Sequence, residues 1–328
     1  MATYKEIFGK KIQSLASDPP AAQGEGQIWY NETSDTFKSS VLTAAWASGG
    51  VVSTARRAGS GAGTQTAALL YAGYGPAFSN ALEEYNGTGW TTATAGPFSV
   101  YNATGGGTQT AYVATGGDLG PAINTVTAEW NGASWSTESA FPAARNGASG
   151  AGTQTALVST GGGSPYPTVA TYYYNGTSWT NQSASLGTAR YELTNASCGT
   201  QAAALVVGGE TPGSTYRAEV EEWNGTAWSE QNDIPTATRQ VATSGIQTSA
   251  LAYGGEVPGP AVTGVTLAYD GTTWSTTTSM ATARRAMGGL GSGSTSSAGL
   301  ASAGIVSSNV NNTEEYSNVA AVKTITTS

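Results

Sequence analysis

The chain has 328 residues and a net charge of −8, with 45 Gly, nine Trp and 16 Tyr but one Cys and no His. The acidic balance argues against a nucleic-acid backbone as partner, and no apolar run of eighteen residues is present to suggest membrane insertion. A lone Cys198 excludes an internal disulfide and cysteine metal clusters, and the lack of His removes the commonest metal ligands, so neither metal nor cofactor is expected.

Residues 1–38 come first and belong to no repeat. MATYKEIFGKKIQ lacks the apolar core of a signal peptide, so synthesis in the cytoplasm of the producing cell is expected. Lys10 and Lys11 lie in this stretch. SDPPAAQGEG is rich in turn formers, and proline favours extended backbone before it. GQIWYNETSDTFK, at 26–38, predicts a small hairpin with Trp29 and Phe37 as apolar anchors and Tyr30 beside them. The segment is expected to be either a cap on the repeats or an arm docking into a larger assembly, because a terminus is ordered only when it is tied down.

From residue 39 the chain repeats itself. YNGTGWT begins at Tyr85, and variants begin at Trp130, Tyr174, Trp223 and Tyr269. Their second aromatic residues, Trp90, Trp135, Trp179, Trp228 and Trp274, are 45, 44, 49 and 46 residues apart, a period that signals a propeller or solenoid. About ten residues after a Trp comes an arginine in most copies: Arg56, Arg145, Arg190, Arg239 and Arg284. Next come an Ala/Gly-rich run, a GTQTA-type turn, an apolar run ending in Gly, a variable loop, and an acidic–aromatic strand such as VEEW at 220–223. Asn-Gly then predicts a hairpin in which both central residues take positive φ. Each unit therefore reads as four antiparallel strands, a to d, and a single such sheet buries too little to stand alone.

Five units are complete in sequence order. A sixth starts at Arg284 and reaches Tyr316 with no Trp after it, while Trp46 lies 44 residues before Trp90. The expectation is an all-β, six-bladed β-propeller over residues 39–328, whose last blade joins strand 40–47 to strand 313–318. Such closure would remove an open sheet edge.

The order Arg, Gly-Gly, Glu-x-Tyr/Trp-Asn/Asp-Gly, Trp resembles the kelch repeat of β-propellers over residues 40–318. Repeat two departs from it, with Tyr101 near the Arg position, and repeat six has no Gln turn. Gly24–Lys38 and Ala45–Arg56, an EGQIWYN…FK arm before a WASGG…TAR strand, are similar to virion proteins of tailed bacteriophages, especially those of cyanobacteria and marine bacteria. That resemblance implies a structural, tail-fibre-like protein on the surface of a virion, tail or capsid. Its arm, with Lys10, Lys11, Trp29, Tyr30 and Phe37, would meet other virion proteins.

Catalytic chemistry finds little support in the residues. A galactose-oxidase-like copper site needs His, and the register of YNGTSW differs from that of a sialidase aspartate box. Glu221 and Glu222 are adjacent on a strand and so point to opposite faces, a poor arrangement for concerted hydrolysis. No catalytic residue is expected; a glycan-active enzyme is the lesser alternative. The arginines at 56, 145, 190, 239 and 284 would ring one channel mouth, each tying a strand to backbone carbonyls or a carboxylate, with an anion site as the alternative. The turn glutamines are expected to bond backbone at the opposite mouth.

Turns a–b and c–d hardly vary, whereas loops b–c differ at every repeat, and most carry Pro. A constant scaffold with one varied face is how such folds carry recognition. The candidate contacts are Phe78, Tyr166 and Tyr216 for stacking and Asp118, Glu210, Arg217 and Glu256 for polar bonds. The expected partner is a host cell-surface glycan or receptor; the alternative is a capsid-bound decoration or head-fibre protein without a specific ligand.

Overall fold

Repeats of Ala, Gly, Val and Thr between turn residues make short strands whose two faces can both be covered by neighbouring sheets. The structure, a computed structural model, describes residues 12–19, 27–163, 167–193, 195, 197–292 and 296–325, and its regular elements are all β-strands. The chain divides into two compact units, Trp46–Tyr316 and Met1–Ala45 with Ser317–Ser328. The expected break at residue 38 therefore falls later, and the C-terminal tail groups with the N-terminal segment rather than with the repeats.

In the larger unit each repeat forms one sheet. Sheet I contains Ser60–Thr64, Ala67–Tyr74, Phe78–Tyr85 and Trp90–Thr92 in antiparallel order. Sheets II, III and IV repeat this order and end on the strands Trp135–Glu138, Trp179–Arg190 and Trp228–Glu230. Sheet V contains Ala242–Ile246, Ser249–Tyr253, Thr266–Tyr269 and Trp274–Thr277. Sheet VI places Ala298–Ser302 beside the strand that begins at Thr313, and next to that the strand that ends at Gly49. Trp46 packs on Tyr316 with ring centroids 5.4 Å apart, as Trp90 does on Tyr85 at 5.0 Å and Trp228 on Trp223 at 5.2 Å. Residues from the two ends of the repeat region thus complete one sheet.

The turns show why the repeated residues are needed. Tyr85 pairs with Trp90, so the connection is four residues, not the two-residue turn expected of Asn-Gly. Asn86 Oδ1 accepts the backbone N–H groups of Thr88 and Gly89, each at 3.0 Å, and only Gly87 takes a positive φ, of 89°. The side chain does the work that a left-handed Asn would do in a tighter turn. Asp270 replaces Asn in sheet V and accepts from Thr272 and Thr273 in the same way; those backbone bonds hold its carboxyl below the usual range.

Three sets of side chains tie neighbouring sheets together, though sheet VI has no turn glutamine and sheet V no tryptophan bond among the described residues. Gln109, Gln154, Gln201 and Gln247 each donate to two carbonyls of the preceding sheet; Gln201 reaches Leu157 at 3.0 Å and Tyr174 at 2.7 Å. Most outer tryptophans donate to a Thr hydroxyl of the preceding sheet, Trp179 to Thr127, Trp228 to Thr171 and Trp46 to Thr266, whereas Trp135 donates to the Thr94 carbonyl. The aromatic residue at the end of strand c forms the third tie, as Tyr174 does to Glu129 at 2.9 Å and Tyr269 to Glu222 at 3.1 Å. Sheet I makes all three to sheet VI, through Gln65 to Tyr316, Trp90 to Thr313, and Tyr85 to Glu315.

Small residues on the innermost strands let the backbones crowd together: a Cβ on Gly61 would stand 2.2 Å from the carbonyl oxygen of Gly289. Sheet VI departs from the repeat here. Gly291–Ser292 pairs in parallel with Ala242–Ile246 of sheet V, instead of continuing antiparallel to Ala298–Ser302. Asn195, on the way into sheet IV, donates to the carbonyls of Gly59 at 2.8 Å and Met287 at 3.1 Å, linking sheet IV to residues that precede sheets I and VI.

In the smaller unit Gln13–Leu15 runs parallel to Ile28–Asn31, which pairs antiparallel with residues 36–39. Asp18 accepts from Asn31 at 2.6 Å and Trp29 at 3.0 Å, and these bonds hold its carboxyl below the usual range. Trp29 is buried, but Phe37 is 46% exposed and packs only its edge on Tyr30, so one of the two expected anchors faces outward. Lys10 and Lys11 lie outside the described residues.

Candidate binding face

The residues that enter each sheet take three successive roles. The first position is Arg56, Val100, Arg145, Arg190, Thr238 and Arg284 in sheets I to VI. The second is Arg57, Tyr101, Asn146, Tyr191, Arg239 and Arg285, each bridged to the residue that opens the b–c loop: Tyr74, Asp118, Gly163, Glu210, Glu256 and Ile305. The third is Ala58, Asn102, Gly147, Glu192, Gln240 and Ala286, all with φ between 51° and 59°. This left-handed step turns the third residue toward its neighbours. Asn102 N donates to Ala58 O, Gly147 N to Asn102 O, Leu193 N to Gly147 O, Gln240 N to Glu192 O, Ala286 N to Gln240 O, and Ala58 N back to Ala286 O.

First-position arginines point into their own sheets. Arg56 pairs with Glu83, Arg190 with Glu221 at 2.7 Å, and Arg284 with Glu314, and all six side chains are buried. Burial pushes Arg190 and Arg284 below the usual arginine pKa, against the pull of their glutamates. Among the described residues Arg145 has no carboxylate partner; it donates to the carbonyls of Gly161 and Ala170, both at 3.2 Å, and lies 4.6 Å from the Tyr172 ring. These four do not line an open mouth. Arg239 does not belong with them. It stands in register with Arg57 and Arg285, because the arginine of this repeat is written one place nearer the turn glutamine, and Thr238 takes the first position.

Second-position residues and the b–c loops make two clusters. In one, Phe78 stacks on Tyr101 with centroids 5.5 Å apart, Tyr74 packs against both, and Arg57 lies 4.7 Å over Tyr74. Asp118 accepts from Tyr101 Oη at 3.1 Å and Asn146 Nδ2 at 3.4 Å. In the other, Arg239 bridges Glu210 and Glu256, the latter at 2.9 Å, with its guanidinium 4.7 Å over Tyr216. Tyr216 Oη donates to Glu256 at 2.5 Å, Arg285 Nε pairs with Glu256 at 2.5 Å, and Tyr191 Oη donates to Glu210 at 3.0 Å.

Electrostatics fix the protonation of these groups. Burial disfavours charge on Arg239, but bonds from Glu210 and Glu256 outweigh it and hold the pKa above the usual value. Burial would raise Glu256, yet Tyr216, Arg239 and Arg285 together hold it below the usual range. Tyr101 and Tyr191 are both pushed up to about 12, first by burial and then by Asp118 and Glu210, so each remains a donor. Burial raises Glu192, which accepts from Gln240 between the two clusters. Cys198 is buried and its thiol is pushed up to about 12, which makes it inert.

Of the loop residues singled out in sequence, Glu210, Tyr216 and Glu256 meet in one cluster, and Phe78 and Asp118 share the other through Tyr101. Glu210 and Glu256 are 1% and 2% exposed, so they orient their neighbours and are not free contacts. Arg217 stands apart, paired with Glu219 through Nε at 2.8 Å. Tyr166 lies outside the described residues. The repeat pattern alone does not point to Tyr74, Tyr101, Tyr191, Gln240 and Arg285. A signal exists for Tyr191, Gln240 and Arg285, each of which follows a repeat arginine at a position that no single residue type holds. Among the described residues no group of three or more His, Cys, Asp or Glu side chains is placed to hold a metal ion. No protein-family model and no curated protein matches the chain.

Proposed function

We propose that Trp46–Tyr316 is a six-bladed kelch-type propeller, closed where the strand ending at Gly49 joins the strand starting at Thr313, and that it serves as a non-enzymatic recognition protein. The ties from sheet I to sheet VI and the six backbone bonds that return to Ala58 support the closed reading. The particle context is a tailed-phage virion, with residues 1–38 contacting other virion proteins and the propeller displayed at the surface as a fibre or host-recognition element. That context rests on the resemblance of the arm and the repeats.

The single observation that carries the binding role is the position of the two aromatic–polar clusters. They occupy the face on which the repeats differ, and their half-exposed rings are held in place by internal bonds. Preorganised rings bind without a large ordering cost, and stacked rings flanked by fixed donors suit a sugar or a receptor surface. The carboxylates of these clusters are engaged by Arg and Tyr, which suits binding better than hydrolysis. The test is adsorption of the full chain to a panel of host cells and immobilised glycans. Phe78→Ala and Tyr216→Ala should each weaken binding by about thirtyfold, the cost of a central aromatic contact. Thr88→Ala and Thr177→Ala, in c–d turns, should leave it unchanged. Equal binding by all four variants and the parent would overturn the assignment of this face; no binding by the parent would favour a decoration role.

A further inference from the structure

We propose that sheet V carries a second, separate site that takes a small uncharged apolar ring, seated where sheets I, IV and VI hold a buried arginine–glutamate pair. Superposing the repeats shows how the site arises. In sheet IV, Arg190 occupies the first position and Glu221 the second residue of strand c. Their counterparts in sheet V are Thr238 and Leu267. The equivalence is fixed by backbone bonds: Gly208 N donates to Glu219 O, and Gly254 N to Val265 O, both at 3.0 Å.

Thr238 does not fill the space that a guanidinium leaves. Its hydroxyl turns to the carbonyl of Thr236 at 2.8 Å. A cavity of about 200 Å³ remains, lined by Ile234, Val241, Ala252 and Leu267, with Pro235 and Val265 beside them and four threonines completing its wall. The first four are buried, and Val265 is 42% exposed, so the cavity has an apolar floor and an open side. An apolar cavity of about 150 Å³ is large enough to hold benzene.

The chemistry of the floor selects the guest. In sheet IV, Arg190 NH1 donates to the carbonyls of Gly208 and Glu219, both at 2.8 Å, and NH2 pairs with Glu221. The matching carbonyls of Gly254 and Val265 are retained in sheet V, but the carboxylate is replaced by a leucine. A cation entering here would lose its hydration with no counter-charge, at a cost of several kcal/mol. A neutral ring would gain from every apolar contact. The site is independent of the two clusters on the loop face.

The experiment is titration of the full chain with toluene, followed by NMR, with ethylguanidinium as the charged probe. Saturable one-site binding of toluene, with shifts centred on Leu267 and Ala252, is expected. Thr238→Arg combined with Leu267→Glu rebuilds the pair of sheet IV and should abolish binding while the melting temperature holds or rises. Val265→Phe, at the exposed rim, should weaken binding by about tenfold through crowding of the mouth, and decides the question should the double variant fail to fold. No saturable binding by the parent, parent-like binding by both variants, or preference for ethylguanidinium over toluene would overturn the proposal.

Discussion

Sheets IV and V are neighbours with the same strand order, yet they solve the same packing problem in opposite ways. Sheet IV fills the gap beneath its entry residues with a buried Arg190–Glu221 pair, and sheet V leaves a small apolar cavity there. The outer strands differ too. Trp228 of sheet IV donates to Thr171, but Trp274 of sheet V packs against the apolar cluster that holds Val220, and its buried Nε1 has no partner among the described residues. The fold therefore does not depend on the ion pair as such. It depends on the two positions changing together. Arg occurs with Glu in sheets I, IV and VI, Arg with Tyr in sheet III, Val100 with Ala128 in sheet II, and Thr238 with Leu267 in sheet V. A buried guanidinium facing an aliphatic residue is the combination that never occurs among them; Arg145, the one arginine without a glutamate, faces the Tyr172 ring.

The largest expected effect comes from creating that combination. Glu221→Ala should destabilise the protein by about 3–5 kcal/mol, because it strands a buried guanidinium. Arg190→Thr with Glu221→Leu converts sheet IV to the sheet V pattern and should cost clearly less than the single change. Urea unfolding of the two variants checks this; a double variant as unstable as Glu221→Ala would remove the idea of concerted exchange. Next in size is Gln201→Ala, which leaves the carbonyls of Leu157 and Tyr174 without their shared donor. A loss of about 1–3 kcal/mol is expected, since each unsatisfied buried acceptor carries a desolvation cost.

Val220→Thr should act in the opposite direction. It offers Trp274 the Thr hydroxyl that Trp46, Trp90, Trp179 and Trp228 find, and should stabilise by about 1 kcal/mol. Thr266→Val is the reciprocal change, since it withdraws the acceptor of Trp46 and should cost a similar amount. Thermal unfolding of the pair reports both signs, and a destabilised Val220→Thr would mean that the buried hydroxyl does not pair with Trp274.

The smallest effect is in pH. The Glu256 carboxyl in sheet V is held below its ordinary pKa, so the unfolded chain binds its proton more readily than the folded one. Its contribution is then present above the unfolded value of about 4.3 and is lost as pH falls through the lower folded value. Glu256→Gln should flatten the acid limb of the stability profile while leaving the slope near neutrality unaltered. An unchanged acid limb would show that Arg239 and Arg285 do not hold the carboxylate in solution.

The sequence by itself determined the all-β class, the strand order within each repeat, the structural use of the turn glutamines and the inclusion of Trp46 with the last repeat. These are carried by local signals, namely turn residues, apolar runs and a fixed period, and local signals survive without knowledge of partners. Tertiary structure alone decided which glutamate answers which arginine, that Arg239 sits one place beyond the others, that the Asn side chain caps a four-residue turn, and that sheet V is hollow. Each of these depends on what stands opposite a residue across a sheet or in a neighbouring one. A one-residue displacement of the arginine is invisible to a period of 44–49, yet it moves a guanidinium from a buried pair to a partly exposed cluster. Phe37 teaches the same lesson in the smaller unit, where an aromatic residue in an apolar pattern lies 46% exposed.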